Sequence, residues 1–147
     1  MPVRWGVFHS TRLVVITLTG AIRLKDVEDC VDMIMTPATL SYRKLVDVTE
    51  GSSLLGSESI VALAERVREH AGIGPIGPLA IVAASDEGQQ QARLFKSLSM
   101  ADRPLKIFRQ RHTARVWLDA QPSHAPWPLL EEERADVLGP VAFHSPE

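Results

Sequence analysis

The residues best suited to chemistry stand in one stretch, Asp47-Val-Thr49-Glu50-Gly-Ser-Ser-Leu-Leu-Gly-Ser57, where a strand pattern gives way to a helix pattern. Asp47 and Glu50 are carboxylates able to hold or move a proton, and Thr49 and Ser57 supply hydroxyls. A helix opening at Ser57 presents unpaired backbone N–H groups, a natural seat for an anion. Ser57 is also a good N-cap type, and capping is the plainer account of its presence. A second junction of the same kind is Ser85-Asp86, with Gln89 three residues after Asp86 in the spacing of a capping box. In open α/β sheets binding crevices lie outside the carboxyl ends of the strands, where both junctions fall. The candidate ligand- or partner-binding residues are therefore Asp47, Thr49, Glu50, Ser57, Ser85 and Asp86. Gln89, Gln90, Gln91 and Arg93, with Arg109, Arg111 and Arg115 near the last strand, are suited to lining an anion-accepting crevice at the same edge.

No catalytic residue is assigned. Neither a nucleophile elbow nor a phosphate-binding P-loop is written in the chain. Gly72-Ile-Gly-Pro-Ile-Gly77 spells the letters of a dinucleotide fingerprint, yet it follows a helix pattern and precedes a strand, the reverse of what pyrophosphate binding needs. Pro75 also removes one N–H from any cradle. It reads as a loop. Cys30 falls near the buried stripe of a helix beside Asp29 and Asp32, which oppose thiolate formation, so it reads as a small packed residue. His9, His70, His112, His124 and His144 show no ligand spacing on one element, and a single cysteine builds no thiolate site. No metal and no cofactor is expected.

These residues sit on a chain of 147 residues, one domain's worth. Sixteen Lys and Arg against eighteen Asp and Glu leave a net charge of −2, too balanced for a nucleic-acid-wrapping surface. No apolar run approaches the ~20 residues of a membrane span. Leu13–Ile22 has roughly the length of a signal-peptide core, but it is β-branched and lacks a small-residue cleavage site, so it reads as a strand. A lone cysteine fits a reducing cytoplasm.

The pattern of elements is regular. Val3–Phe8 and Leu13–Leu18 read as strands joined by a short polar turn, hence an antiparallel hairpin, with a break at Gly20. Leu24, Val27, Val31, Ile34 and Met35 mark one face of a helix that Pro37 helps to stop. Lys44–Val48 is a third strand, followed by a polar loop through Gly56. Helices then start near Ser57, at Ser85-Asp86 and at Arg111, with strands at Leu79–Ala84 and Leu105–Arg109 between them. The alternation predicts an α/β domain over residues 1–120, with a mixed five-stranded sheet and about four helices. Residues 121–147 form a Pro-rich C-terminal extension, in which Leu129–Leu138 suits a short helix. Trp127, Leu129 and Leu130 there are candidates to cover a partner or a second subunit.

Three segments carry a family resemblance: Lys44-Leu-Val-Asp-Val-Thr49; Leu79-Ala-Ile-Val-Ala-Ala-Ser85 with Ala92-Arg-Leu-Phe95; and Ile107-Phe-Arg109 with Thr113-Ala-Arg-Val-Trp-Leu118. With the order of elements, they resemble the STAS domain of bacterial anti-sigma-factor antagonists and, more closely, the small bacterial SpoIIAA-like proteins, related in fold to CRAL-TRIO lipid-binding domains. The likeness spans about residues 3–120. It implies a non-enzymatic regulatory module that contacts a protein partner or a second copy of itself. It also implies a phosphorylation site at the start of the helix after the aspartate strand, which Ser57 matches. Leu55, Gly56 and Glu58 depart from that motif. The CRAL-TRIO side of the likeness implies instead a small amphipathic or anionic, lipid-like ligand held between helices and sheet.

Overall fold

The computed structural model describes residues 3–53, 55–70, 74, 76–99 and 103–121. The C-terminal extension beyond residue 121, with Trp127, Leu129, Leu130 and the helix expected at Leu129–Leu138, lies outside the described residues.

Among the described residues, five strands and four helices follow one another as β1 (Val3–Phe8), β2 (Leu13–Ala21), α1 (Leu24–Ile34), β3 (Arg43–Ser53), α2 (Ser57–His70), β4 (Leu79–Val82), α3 (Asp86–Ser99), β5 (Leu105–Phe108) and α4 (Arg111–Asp119). They build a mixed α/β fold. The strands lie in the sheet in chain order, β1-β2-β3-β4-β5. β1 and β2 are the antiparallel hairpin, and every later pair is parallel. Because the order never reverses, right-handed crossovers put α1, α2 and α3 on one face of the sheet. α4, which follows the last strand, packs on the other face.

Alternation along the strands divides the interior in two. Toward α1–α3 point Val14, Ile16 and Leu18 of β2 and Leu79 and Ile81 of β4, packed with Val27, Val31, Ile60, Val67 and Phe95 of the helices. Toward α4 point Leu13, Leu45, Ala80 and Val82, packed with Ala114 and Leu118.

Two sequence expectations are corrected. Gly20 does not end β2: it takes a positive φ of 66°, a conformation glycine adopts without steric cost, and the strand continues through it to Ala21. The stretch after Val48 is not a loop from its start either. β3 runs on to Ser53, pairing Thr19 with Glu50, Gly20 with Gly51 and Ala21 with Ser53 across two register shifts. β4 ends opposite Asp47, so beyond that point β2 and β3 continue as a two-stranded ribbon. Thr49-Glu50-Gly51-Ser52-Ser53 carries no apolar alternation, which is why the composition reads as a loop.

Candidate functional site

At the carboxyl ends of the strands, Asp47, Thr49, Ser85 and Asp86 are engaged by partners in the fold, whereas Glu50 and Ser57 are exposed. Asp47, buried on the α4 side, accepts the backbone N–H of Thr49 at 2.9 Å, the Thr49 hydroxyl at 2.7 Å and Arg111 Nη1 at 3.0 Å. Glu50 is exposed on the ribbon. Ser85 caps α3, its Oγ accepting the N–H of Gly88 at 3.0 Å. Asp86 accepts Arg109 Nη2 at 2.8 Å, and Arg109 Nη1 donates to the Ala84 carbonyl at 2.7 Å. Arg115 is paired with Asp119 in the helical i,i+4 position. Of the four arginines expected at the anion crevice, Arg109, Arg111 and Arg115 thus have partners in the fold, and Arg93 is exposed on α3.

Two details differ from the capping scheme. Gln89 does not close a box on Asp86; its Nε2 donates to the carbonyls of Ala83 at 2.7 Å and Phe108 at 3.0 Å, tying the ends of β4 and β5 together. Ser57 is the first helical residue rather than the N-cap, because the carbonyl of Gly56 already accepts the Ile60 N–H. Ser57 and Glu58 are exposed. Among the described residues no hydrogen bond or ion pair joins Ser57 to Asp47, Ser85 or Asp86. The physical reason is topological. A crevice opens at strand ends where the strand order reverses and neighbouring loops diverge, and this order has no reversal.

The concave site lies elsewhere, under the helices. A cavity of about 150 Å³ opens between the sheet and α1–α3. Its floor is Ile16, Leu18, Val46, Val48, Leu79 and Ile81; its roof includes Val31, Ile34, Ile60, Leu63, Val67 and Phe95. Small residues leave the space unfilled. Gly88 and Ala92 stand one turn apart on α3, and Cys30 faces them from α1. Burial pushes the Cys30 thiol up to about 12, so it is protonated at neutral pH and chemically quiet.

Among the described residues, two basic side chains, Lys44 and Arg103, line this apolar chamber, and no carboxylate does. Lys44 is buried, with its Nζ donating to the carbonyls of Thr39 at 3.2 Å, Leu40 at 2.7 Å and Tyr42 at 2.9 Å. Its three ammonium donors are thereby used, and it fastens the turn between α1 and β3. Desolvation, and then the charge of Arg103, hold its pKa well below the ordinary lysine value. Arg103 enters from just before β5. Its Nη1 reaches the Gly77 carbonyl at 3.5 Å, the outer limit of a hydrogen bond, while its buried Nε and Nη2 have no acceptor.

Sequence reasoning passed over both cations. Lys44 shares a strand face with Val46 and Val48, and that alternation was the available signal. Arg103, in a short connection, gave none. Of the six-residue glycine-bearing loop, Gly74, Ile76 and Gly77 are described, and the remainder lies outside the described residues. Gly77 passes so close to the chain that a Cβ would overlap the carbonyls of Ser41 and Tyr42.

The chain matches no protein-family model, no curated protein and no solved structure. Among the described residues, no helix is long and apolar enough to cross a membrane, and no cluster of His, Cys, Asp and Glu has the makings of a metal site.

Proposed function

We propose that this protein is a non-enzymatic binding module whose chamber beneath α1–α3 receives a small, largely apolar ligand. The observation that carries the reading is the chamber itself: about 150 Å³ walled almost entirely by aliphatic and aromatic side chains. A cavity of about that volume, lined by Leu, Ile and Phe, stays dry and admits benzene. Binding is favoured over turnover by the character of the polar groups present. The thiol is protonated and the Lys44 Nζ is held by three backbone carbonyls, so neither is free to act on a ligand. This develops the CRAL-TRIO side of the resemblance, with a ligand much smaller than a long-chain lipid. A cytoplasmic setting belongs to the proposal and is supported by the free, buried cysteine.

The test is a titration of methyl-labelled protein with benzene, followed by NMR. Saturable shifts confined to the methyls of Ile16, Val46, Ile60 and Ile81 are expected. Shifts that do not saturate, or that spread evenly over the surface, would overturn the reading.

A second reading is a regulatory contact module of the SpoIIAA-like kind, acting on a protein partner or a second copy of the chain. Its supporting observation is Ser57, exposed in the first turn of α2, where a phosphoryl group is favoured by the helix dipole. Native mass spectrometry of protein from its own host tests it. Phosphate on Ser57 with a dimer or partner complex supports it, and an unmodified monomer removes it.

A further inference from the structure

The chamber's polar end is incomplete in one specific way. Lys44 has spent all its donors on backbone carbonyls, and the Gln91 amide donates to the Leu55 carbonyl. Arg103 alone offers donors with nowhere to go: buried Nε and Nη2, adjacent on one edge of the guanidinium. That edge is the fork that a carboxylate accepts with two parallel N–H···O bonds. The charge balance points the same way. No acidic side chain stands among the described residues that line the chamber, so none of them neutralises the Arg103 guanidinium. Burial lowers Arg103 only to about 10, which leaves it charged at neutral pH.

Size limits the rest of the ligand. A volume of about 150 Å³ admits a benzene-sized body, which corresponds to an acid of roughly six to nine non-hydrogen atoms. We infer that the chamber is a site for a small organic monocarboxylate, its short chain or single ring among Ile16, Val46, Ile81 and Phe95 and its carboxylate on Nε and Nη2 of Arg103. The inference rests on the chamber being the ligand site, as proposed above, and adds the chemical class.

The experiment compares hexanoate with 1-hexanol, equal in length but neutral, by calorimetry and methyl NMR at pH 7. The wild-type protein is expected to bind hexanoate at least tenfold more tightly. In Arg103→Met that preference falls to within twofold, with 1-hexanol retained. Equal affinities in the wild type, or a preference that survives Arg103→Met, overturn the carboxylate inference while leaving an apolar site standing. Binding of neither compound removes both readings together. If Arg103→Met does not fold, carboxyl-labelled hexanoate decides the matter on the wild type. Its carboxyl group should titrate at lower pH when bound, and an unchanged or raised titration overturns the inference.

Discussion

Asp47 of β3 and Arg111 at the first position of α4, 64 residues apart in the chain, are joined at 3.0 Å across the face of the sheet. The carboxylate is almost wholly buried, whereas the guanidinium is 51% exposed. This pair fixes where α4 begins, and it explains why an aspartate stands among the apolar residues of β3. Asp47 also orders the start of the β2–β3 ribbon through its two bonds to Thr49. Asp47→Ala is expected to cost about 2–3 kcal/mol, since three donors lose a charged acceptor. Arg111→Ala is expected to cost about 1 kcal/mol, because its charge is screened by solvent. Urea unfolding of both variants and the double variant checks this, and strictly additive losses would show the two residues uncoupled.

The turn between α1 and β3 hangs on Lys44 and on the absence of a side chain at Gly77. Lys44→Met leaves three carbonyls without their donor and should destabilise the protein by about 3 kcal/mol, with faster amide exchange over residues 39–43. Gly77→Ala sets a methyl group into the Ser41 and Tyr42 carbonyls and should cost about 3 kcal/mol or more. A wild-type-like melting temperature in either variant would contradict this account of the turn.

Cys30 makes stability fall with alkalinity. Its folded pKa is raised from 9.0 to about 12, so above pH 9 the unfolded chain has lost a proton that the folded chain keeps. Fewer protons on the unfolded state means that stability declines as pH rises through that window, by about 1.4 kcal/mol at pH 10. Cys30→Ala should lack this component. Denaturant midpoints of both proteins at pH 7.5 and pH 10 measure it, and parallel curves would refute it. In native protein at pH 8, a disulfide reagent should label the thiol only as fast as the structure opens.

A smaller acid-side effect belongs to Asp32. Bonding to Arg66 is the main cause of its lowered pKa, with His70 at 3.3 Å contributing. The stabilisation is present above the ordinary aspartate range and is lost as pH falls through the lowered value. Asp32→Asn should therefore flatten the acid limb of the stability curve. Because the carboxylate is solvent-exposed, the difference should shrink in high salt. An acid limb identical to the wild type's would count against it.

The strands and helices were legible because their signals are local. Leu24, Val27, Val31 and Ile34 repeat every three or four residues, and Leu79–Val82 carries no charge. Their alternation fixed the class of fold. The candidate site was not legible, because it is made by omission. Gly88, Ala92 and Cys30 read as ordinary small residues on separate helices, and only their convergence leaves a void. Asp47 and Arg109 stood out for charge, yet charge at a strand end serves a helix start or a neighbouring carbonyl as readily as a ligand. Ser57 was placed within one residue of its true helical position, but its side chain caps nothing among the described residues.

The chamber has one further consequence, in volume rather than energy. The chamber's volume of about 150 Å³ corresponds to about 90 mL per mole, and the volume a protein gives up under pressure scales with such space without equalling it. Hydrostatic pressure should act first on the helical face of the sheet, compressing or flooding the space beneath α1–α3. A bound molecule that fills the space would remove most of that compressibility and raise the unfolding pressure, even where it adds little to stability at one atmosphere.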